Sequence, residues 1–138
     1  MTTHILCAVD GSDDANRALT VAAGLAAKLE AKLSICFVNV LFGTSPVGHQ
    51  AHTLTDAEAD EILADATAKV KVLRHELSSA KVLLDREAST AIIHHAIALE
   101  ADHIVIGTGD KHGLERLLLG SVAKDVATRA ACTVTIVR

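Results

Sequence analysis

Short runs of branched apolar residues, each followed by a stretch of helical period, recur along the whole chain, and this alternation limits the possible folds more than any other feature. Ile5 to Val9 reads as a first strand, Leu33 to Val40 as a second and Lys81 to Leu84 as a third; His103 to Ile106 and Thr133 to Val137 are the fourth and fifth. Helical stripes fill the intervals. Ala18, Leu19, Ala22, Ala23, Leu25, Ala26 and Leu29 form one, and Ala59, Ile62, Leu63, Ala66, Val70, Leu73 and Leu77 another. Ile93, Ala96 and Ile97 belong to a third, and Val122, Val126, Ala127 and Ala130 to a fourth. The pattern predicts an α/β fold, a parallel sheet of five strands with right-handed crossovers and helices on both faces. With 138 residues, half of them hydrophobic, the chain is expected to form one domain spanning residues 1–138. Two Phe and no Trp or Tyr make its core aliphatic.

The helix starts carry their own chemistry. Asp10-Gly11-Ser12 is a turn in which Ser12 can cap the first helix, while Asp13 and Asp14 complement its positive end. Thr55 and Glu58 form a capping box, and Ser89 or Thr90 is expected to cap the helix after the third strand. Leu41 to Leu54 holds Gly43, Pro46, Gly48, His49 and His52 without a period, and reads as a loop or lid.

Composition excludes several functions. A net charge of −4 and the near absence of stacking aromatics argue against nucleic-acid binding. No apolar run approaches a membrane span and no charged leader precedes Ile5, so a cytoplasmic protein with no membrane partner is expected. Cys7, Cys36 and Cys132 are odd in number and widely spaced, and read as buried reduced thiols. His94 and His95 are adjacent, so on a helix they point about 100° apart and do not chelate one ion together. No nucleophile with a base partner is evident, which argues against an enzyme.

The stretch from Ile104 to Val122 carries the clearest functional signal. A strand runs into a loop containing Gly107, Gly109 and Gly113, and Gly120-Ser121 then opens a helix. Free backbone N–H groups at a helix start, with a serine hydroxyl beside them, suit an anion such as phosphate. Counting from Gly107 puts His112 where both a Walker-type loop and a dinucleotide fingerprint need glycine, so neither motif is present. In a doubly wound sheet ligands sit beyond the carboxyl ends of the strands where strand order reverses, and Asp10 and Gly107 both lie at such ends.

Three segments together resemble the universal stress protein family: Ile5-Leu-Cys-Ala-Val-Asp-Gly-Ser12, Gly113-Leu-Glu-Arg-Leu-Leu-Leu-Gly-Ser-Val122 and Cys132-Thr-Val-Thr-Ile-Val-Arg138. The family's nucleotide motif is Gly, two residues, Gly, nine residues, Gly-Ser/Thr. Gly107 matches its first position and Gly120-Ser121 its last, whereas the middle glycine is replaced by Asp110. The resemblance implies a flavodoxin-like sheet of order 3-2-1-4-5 and a homodimer formed through the last strand, Thr133 to Val137. It also implies ATP, accompanied by Mg²⁺, across the ends of strands one and four. Carried over by position, Asp10 would contact adenosine, and Ala8 and Val38 would line the adenine pocket. Ile106 and Gly107 would flank the ribose and the start of the phosphate loop, with Asp110 in that loop and Gly120, Ser121 and Val122 on the phosphates.

Asp110 leaves two outcomes open. At about 5 Å and an effective dielectric of 20, its charge would cost roughly 3 kcal/mol against each phosphate charge; turned to water, or bridged by Mg²⁺, it would not. The chain is therefore either a nucleotide-binding regulatory module, with hydrolysis slow or absent, or a dimeric interaction protein that binds no nucleotide and acts on a protein partner.

Overall fold

In the computed structural model, residues 1–43, 51–109 and 119–138 are described. The elements in chain order are β1 (His4–Ala8), α1 (Asp13–Leu29), β2 (Lys32–Phe42), β3 (Ala51–His52) and α2 (Asp56–Val72). They continue with β4 (Ser79–Asp85), α3 (Ala88–Ala98), β5 (His103–Gly107), α4 (Ser121–Arg129) and β6 (Thr133–Val137). Five strands are parallel. β1 pairs with β2 on one side and β5 on the other, β4 lies outside β2, and β6 lies outside β5. Counting the parallel strands alone, the order is 3-2-1-4-5, as the resemblance implied.

Two apolar layers hold the sheet. Ile5, Cys7, Leu33, Ile35 and Val105 point to one face, where Ala18, Leu19, Ala22 and Ala26 of α1 and Ala66 and Val70 of α2 cover them. Leu6, Cys36, Ile104 and Ile106 point to the other, under Ile92 and Ala96 of α3 and Ala123 and Val126 of α4. Alternate residues of one strand thus face opposite layers, which is why β1 and β5 read as continuous apolar runs. The alanine-rich stripe of α1 lets that helix lie close to the sheet without large side chains.

Several expected boundaries shift. The Leu41 to Leu54 stretch is not wholly irregular: β2 runs on to Phe42, and β3 returns antiparallel to it, with Leu41 opposite His52 and Phe42 opposite Ala51. This ribbon adds a sixth strand; His49 lies outside the described residues. Beyond it, the buried Asn39 side chain clasps Leu54, donating to its carbonyl at 2.8 Å and accepting from its N–H at 3.0 Å. The clasp fixes the approach to α2, whose start is the expected capping box of Thr55 and Glu58. Leu77 lies beyond the end of α2, although it still packs on the core.

α3 is a correction. Its N-cap is Glu87, which makes no side-chain cap, and Ser89 and Thr90 lie inside the helix. Ser89 is buried and donates to Asp125 of α4 at 3.3 Å, so tertiary contact between two helices takes the hydroxyl that local capping would have used. Cys132 is also corrected: Cys7 and Cys36 are buried free thiols, but Cys132 is only half-buried. Burial pushes the Cys36 thiol up to about 12 and that of Cys7 higher still, which leaves both unreactive.

Acid should lower the protein's stability in two pH windows. His95 and His103 each leave one buried ring nitrogen without a hydrogen-bond partner among the described residues. Burial holds both below the ordinary histidine value of 6.5; Lys81 and His4 add to the effect at His95, whereas Asp102 opposes it at His103. The unfolded chain therefore takes up these protons first, and stability falls as pH drops through and below 6.5. Asp102 is pushed up by burial but held down more strongly by the N–H groups of Thr3 and His4, and its net shift is below 3.8. That contribution is present above the unfolded carboxylate value and is lost as pH falls through the folded one. Urea midpoints measured from pH 8 to pH 3 should fall in these two windows, and the first should shrink in His95→Gln.

Candidate functional site

The carboxyl ends of β1 and β5 open into a cleft of about 1000 Å³. It forms because the two central strands send their chains in opposite directions: β1 leads to α1 on one face and β5 leads to α4 on the other. One wall is apolar, made by Ala8, Val38 and Ile106 with Ile92 of α3. A second is the turn Asp10-Gly11-Ser12 and the first residues of α1; Gly11 has φ +82°, which a side-chain-bearing residue rarely adopts. A third is the start of α4, from Gly120 to Ala123.

Among the described residues, no side chain caps the start of α4. Its N-cap is Gly120, which offers no side chain to the first-turn N–H groups, and Ser121 is exposed beside them. First-turn N–H groups and the helix dipole favour an anion at this end of the cleft.

The two ends of the β5–α4 connection are drawn together. Gly120 N–H donates to the Thr108 carbonyl at 2.7 Å, and Gly109 takes φ +74°. Glycine at 120 is required by contact, because a methyl there would sit 2.8 Å from the Thr108 carbonyl oxygen and 3.0 Å from that of Gly109. Gly107 is required by another contact: a methyl there would sit 2.6 Å from Asp14 Oδ2 and 2.9 Å from the Asp14 carbonyl carbon.

Asp14 stands in the first turn of α1, as its helix-start position implied, but it also does more: it is 6% exposed and lies beneath Thr108 and Gly109. Its Oδ2 accepts from Gly109 N–H at 2.7 Å and from Thr108 Oγ1 at 3.4 Å, and its Oδ1 accepts from Ser12. Burial pushes its carboxyl up, but these donors outweigh that and hold it below the ordinary value, ionised at neutral pH. A signal was present: residues 14, 18 and 22 share one face of α1, so Asp14 stands on the buried stripe.

Of the expected site residues, Ala8, Asp10, Val38, Ile106, Gly107, Gly120, Ser121 and Val122 all line this one cleft. Asp110 lies outside the described residues. Gly109, Ala123, Ala88 and Ile92 line the cleft without having been singled out as contacts. The described walls carry three carboxylates, Asp10, Asp13 and Asp14, and one cation, Arg17, whose Nε donates to the Arg138 carbonyl at 2.9 Å.

Sheet order and cleft together define a doubly wound α/β protein with a crevice at its switch point. The chain belongs to the universal stress protein family, whose model matches residues 1–138. A Staphylococcus aureus (strain USA300) protein named for that family is 31% identical over 147 residues, a match covering 98% of this chain and 83% of the relative. Among solved structures, a universal stress protein in complex with cAMP is 26% identical with a TM-score of 0.76, covering 99% of this chain and 97% of that one. A universal stress protein from Archaeoglobus fulgidus shares the fold at 24% identity and a TM-score of 0.74, covering 100% and 99%. No described helix is long and apolar enough to cross a membrane.

Proposed function

We propose that this chain is a cytoplasmic stress-response module that binds an adenine nucleotide, ATP with Mg²⁺, in the cleft, and signals through conformation or a protein partner. The observation that carries the reading is the pairing of an apolar wall with a helix start whose first-turn donors lack a side-chain cap, in one cleft. Adenine suits the space between Ala8, Val38 and Ile106, the ribose suits Asp10, and the phosphates suit Gly120, Ser121 and Val122. The family relative solved with cAMP supports an adenine ligand.

Magnesium fits this arrangement as part of the ligand. Among the described residues no three His, Cys, Asp or Glu side chains converge on one point, so the phosphates would supply most of its oxygens. Asp10 and Asp13 are the exposed carboxylates on the described walls, and with Asp10 on the ribose, Asp13 is the one left to it. A homodimer would form along β6, which has no partner strand on its outer side among the described residues.

Equilibrium dialysis against Mg-ATP, read near 260 nm where a chain without Trp or Tyr absorbs little, tests the reading. One equivalent per chain is expected, displaceable by cAMP. No uptake at millimolar ATP would overturn it in favour of the second reading, an interaction dimer without nucleotide. The three carboxylates on the described walls, and Asp110 in place of a motif glycine, favour that alternative.

A further inference from the structure

Ser12 stands between two carboxylates. Its Oγ lies within hydrogen-bonding distance of both Asp10 Oδ1 and Asp14 Oδ1, and it accepts from Ala15 N–H at 3.3 Å. A hydroxyl has one hydrogen, so it satisfies one of these carboxylates at a time. The two acceptors serve different places. Asp10 is exposed on the cleft wall, whereas Asp14 is buried and its other oxygen holds Gly109 N–H at 2.7 Å. Gly109 in turn lies against Gly120, the N-cap of α4, whose N–H is bonded to the neighbouring Thr108 carbonyl.

We propose that Ser12 is a two-position relay and Asp14 a positioning residue, which together couple occupancy of Asp10 to the placement of Gly109 and the start of α4. The inference takes its ligand from the cleft reading above: a molecule that donates a hydroxyl to Asp10, as a ribose does. With Asp10 free of ligand, its carboxylate competes with that of Asp14 for the Ser12 hydrogen, and Asp14 turns more of its charge to Gly109 and Thr108. With Asp10 occupied by a ligand hydroxyl, the Ser12 hydrogen turns to Asp14. Asp14 then shares its charge with Ser12, and its bond to Gly109 N–H weakens. The relay has two discrete states, and each end biases them, which is what energetic coupling between two places requires.

The relay can be tested without any ligand. Asp10→Asn replaces a charged acceptor with a weaker neutral one, so the Ser12 hydrogen should turn to Asp14 as it would on binding. In ¹H–¹⁵N spectra of the full chain, the Gly109 amide proton should move upfield in Asp10→Asn. In the Ser12→Ala background the same substitution should leave it in place. Asp14→Asn provides a second background that keeps the α1 cap: its Oδ1 still accepts from Gly109, its amide donates to Ser12, and the Ser12 hydrogen is held on residue 10. There too Asp10→Asn should leave Gly109 unmoved. A Gly109 resonance indifferent to Asp10→Asn, or displaced equally in all backgrounds, would overturn the relay. Adenosine, which has no phosphate to touch α4, then separates the two ideas. If it shifts Gly109 only when Ser12 is present, relay and cleft reading both hold; if it shifts no cleft residue while Asp10→Asn still moves Gly109, the relay stands and the cleft reading falls.

Discussion

Gly107→Ala is expected to destabilise the protein by about 3 kcal/mol, the upper part of the usual range for overpacking. The added methyl would lie 2.6 Å from Asp14 Oδ2, 2.9 Å from the Asp14 carbonyl carbon and 3.0 Å from Ala15 N. Two of those neighbours are backbone in the first turn of α1, which cannot rotate away as a side-chain end does. Relief requires α1 to lift from β5, which would stretch the Gly109 contact and loosen Ala15, Ala18 and Leu19 from the core. Urea unfolding gives the comparison. An alanine at 107 that cost less than a few tenths of a kcal/mol would mean that the start of α1 moves freely against the sheet.

Gly120→Ala should act chiefly on binding. The backbone at 120 has φ −63°, which alanine adopts without strain, so its effect must come from contact. A methyl 2.8 Å from the Thr108 carbonyl oxygen would push the start of α4 away and break the 2.7 Å bond from Gly120 N–H. If the proposed nucleotide seats its phosphates on Ser121 and Val122, affinity should fall about 100-fold, equivalent to about 2.7 kcal/mol. Dialysis of this variant beside wild type reads the change. Gly109→Ala is the control for the connection: its nearest neighbour among the described residues would be 3.5 Å away, and the cost there is the left-handed backbone, about 1–2 kcal/mol. Unchanged ATP affinity in a folded Gly120→Ala protein would remove α4 from the site.

The alternation of strand and helix was legible because both periods are set by the nearest residues, and the capping box of Thr55 and Glu58 for the same reason. The cleft was legible through geometry: once the sheet is parallel and doubly wound, Asp10, Gly107 and Gly120 must meet at the carboxyl ends of its central strands. What stayed hidden depends on contacts distant in sequence. Asp14 is separated by 95 residues from Gly109, the amide that makes its burial tolerable. Ser89 looked free to cap α3 because nothing nearby in the chain announces Asp125, 36 residues on. The β2–β3 ribbon escaped a search for periods because a two-residue strand has none.

The position of β1 also bears on how the protein is made. Of the strands of this sheet, the central one, β1, leaves the ribosome before the others, and its second neighbour, β5, begins only at His103. β2 can pair with it and β4 with β2 in turn, but Ile5, Leu6 and Cys7, fully buried at the end, keep one bare strand edge through most of synthesis. At roughly 5–20 residues per second, the interval between the end of β2 and the start of β5 lasts seconds, ample time for an unpaired apolar edge to meet another chain. A protein built from the middle of its sheet outward is thus most exposed to aggregation while it is being made. Demand for chaperones during translation should therefore be concentrated before residue 107 has emerged.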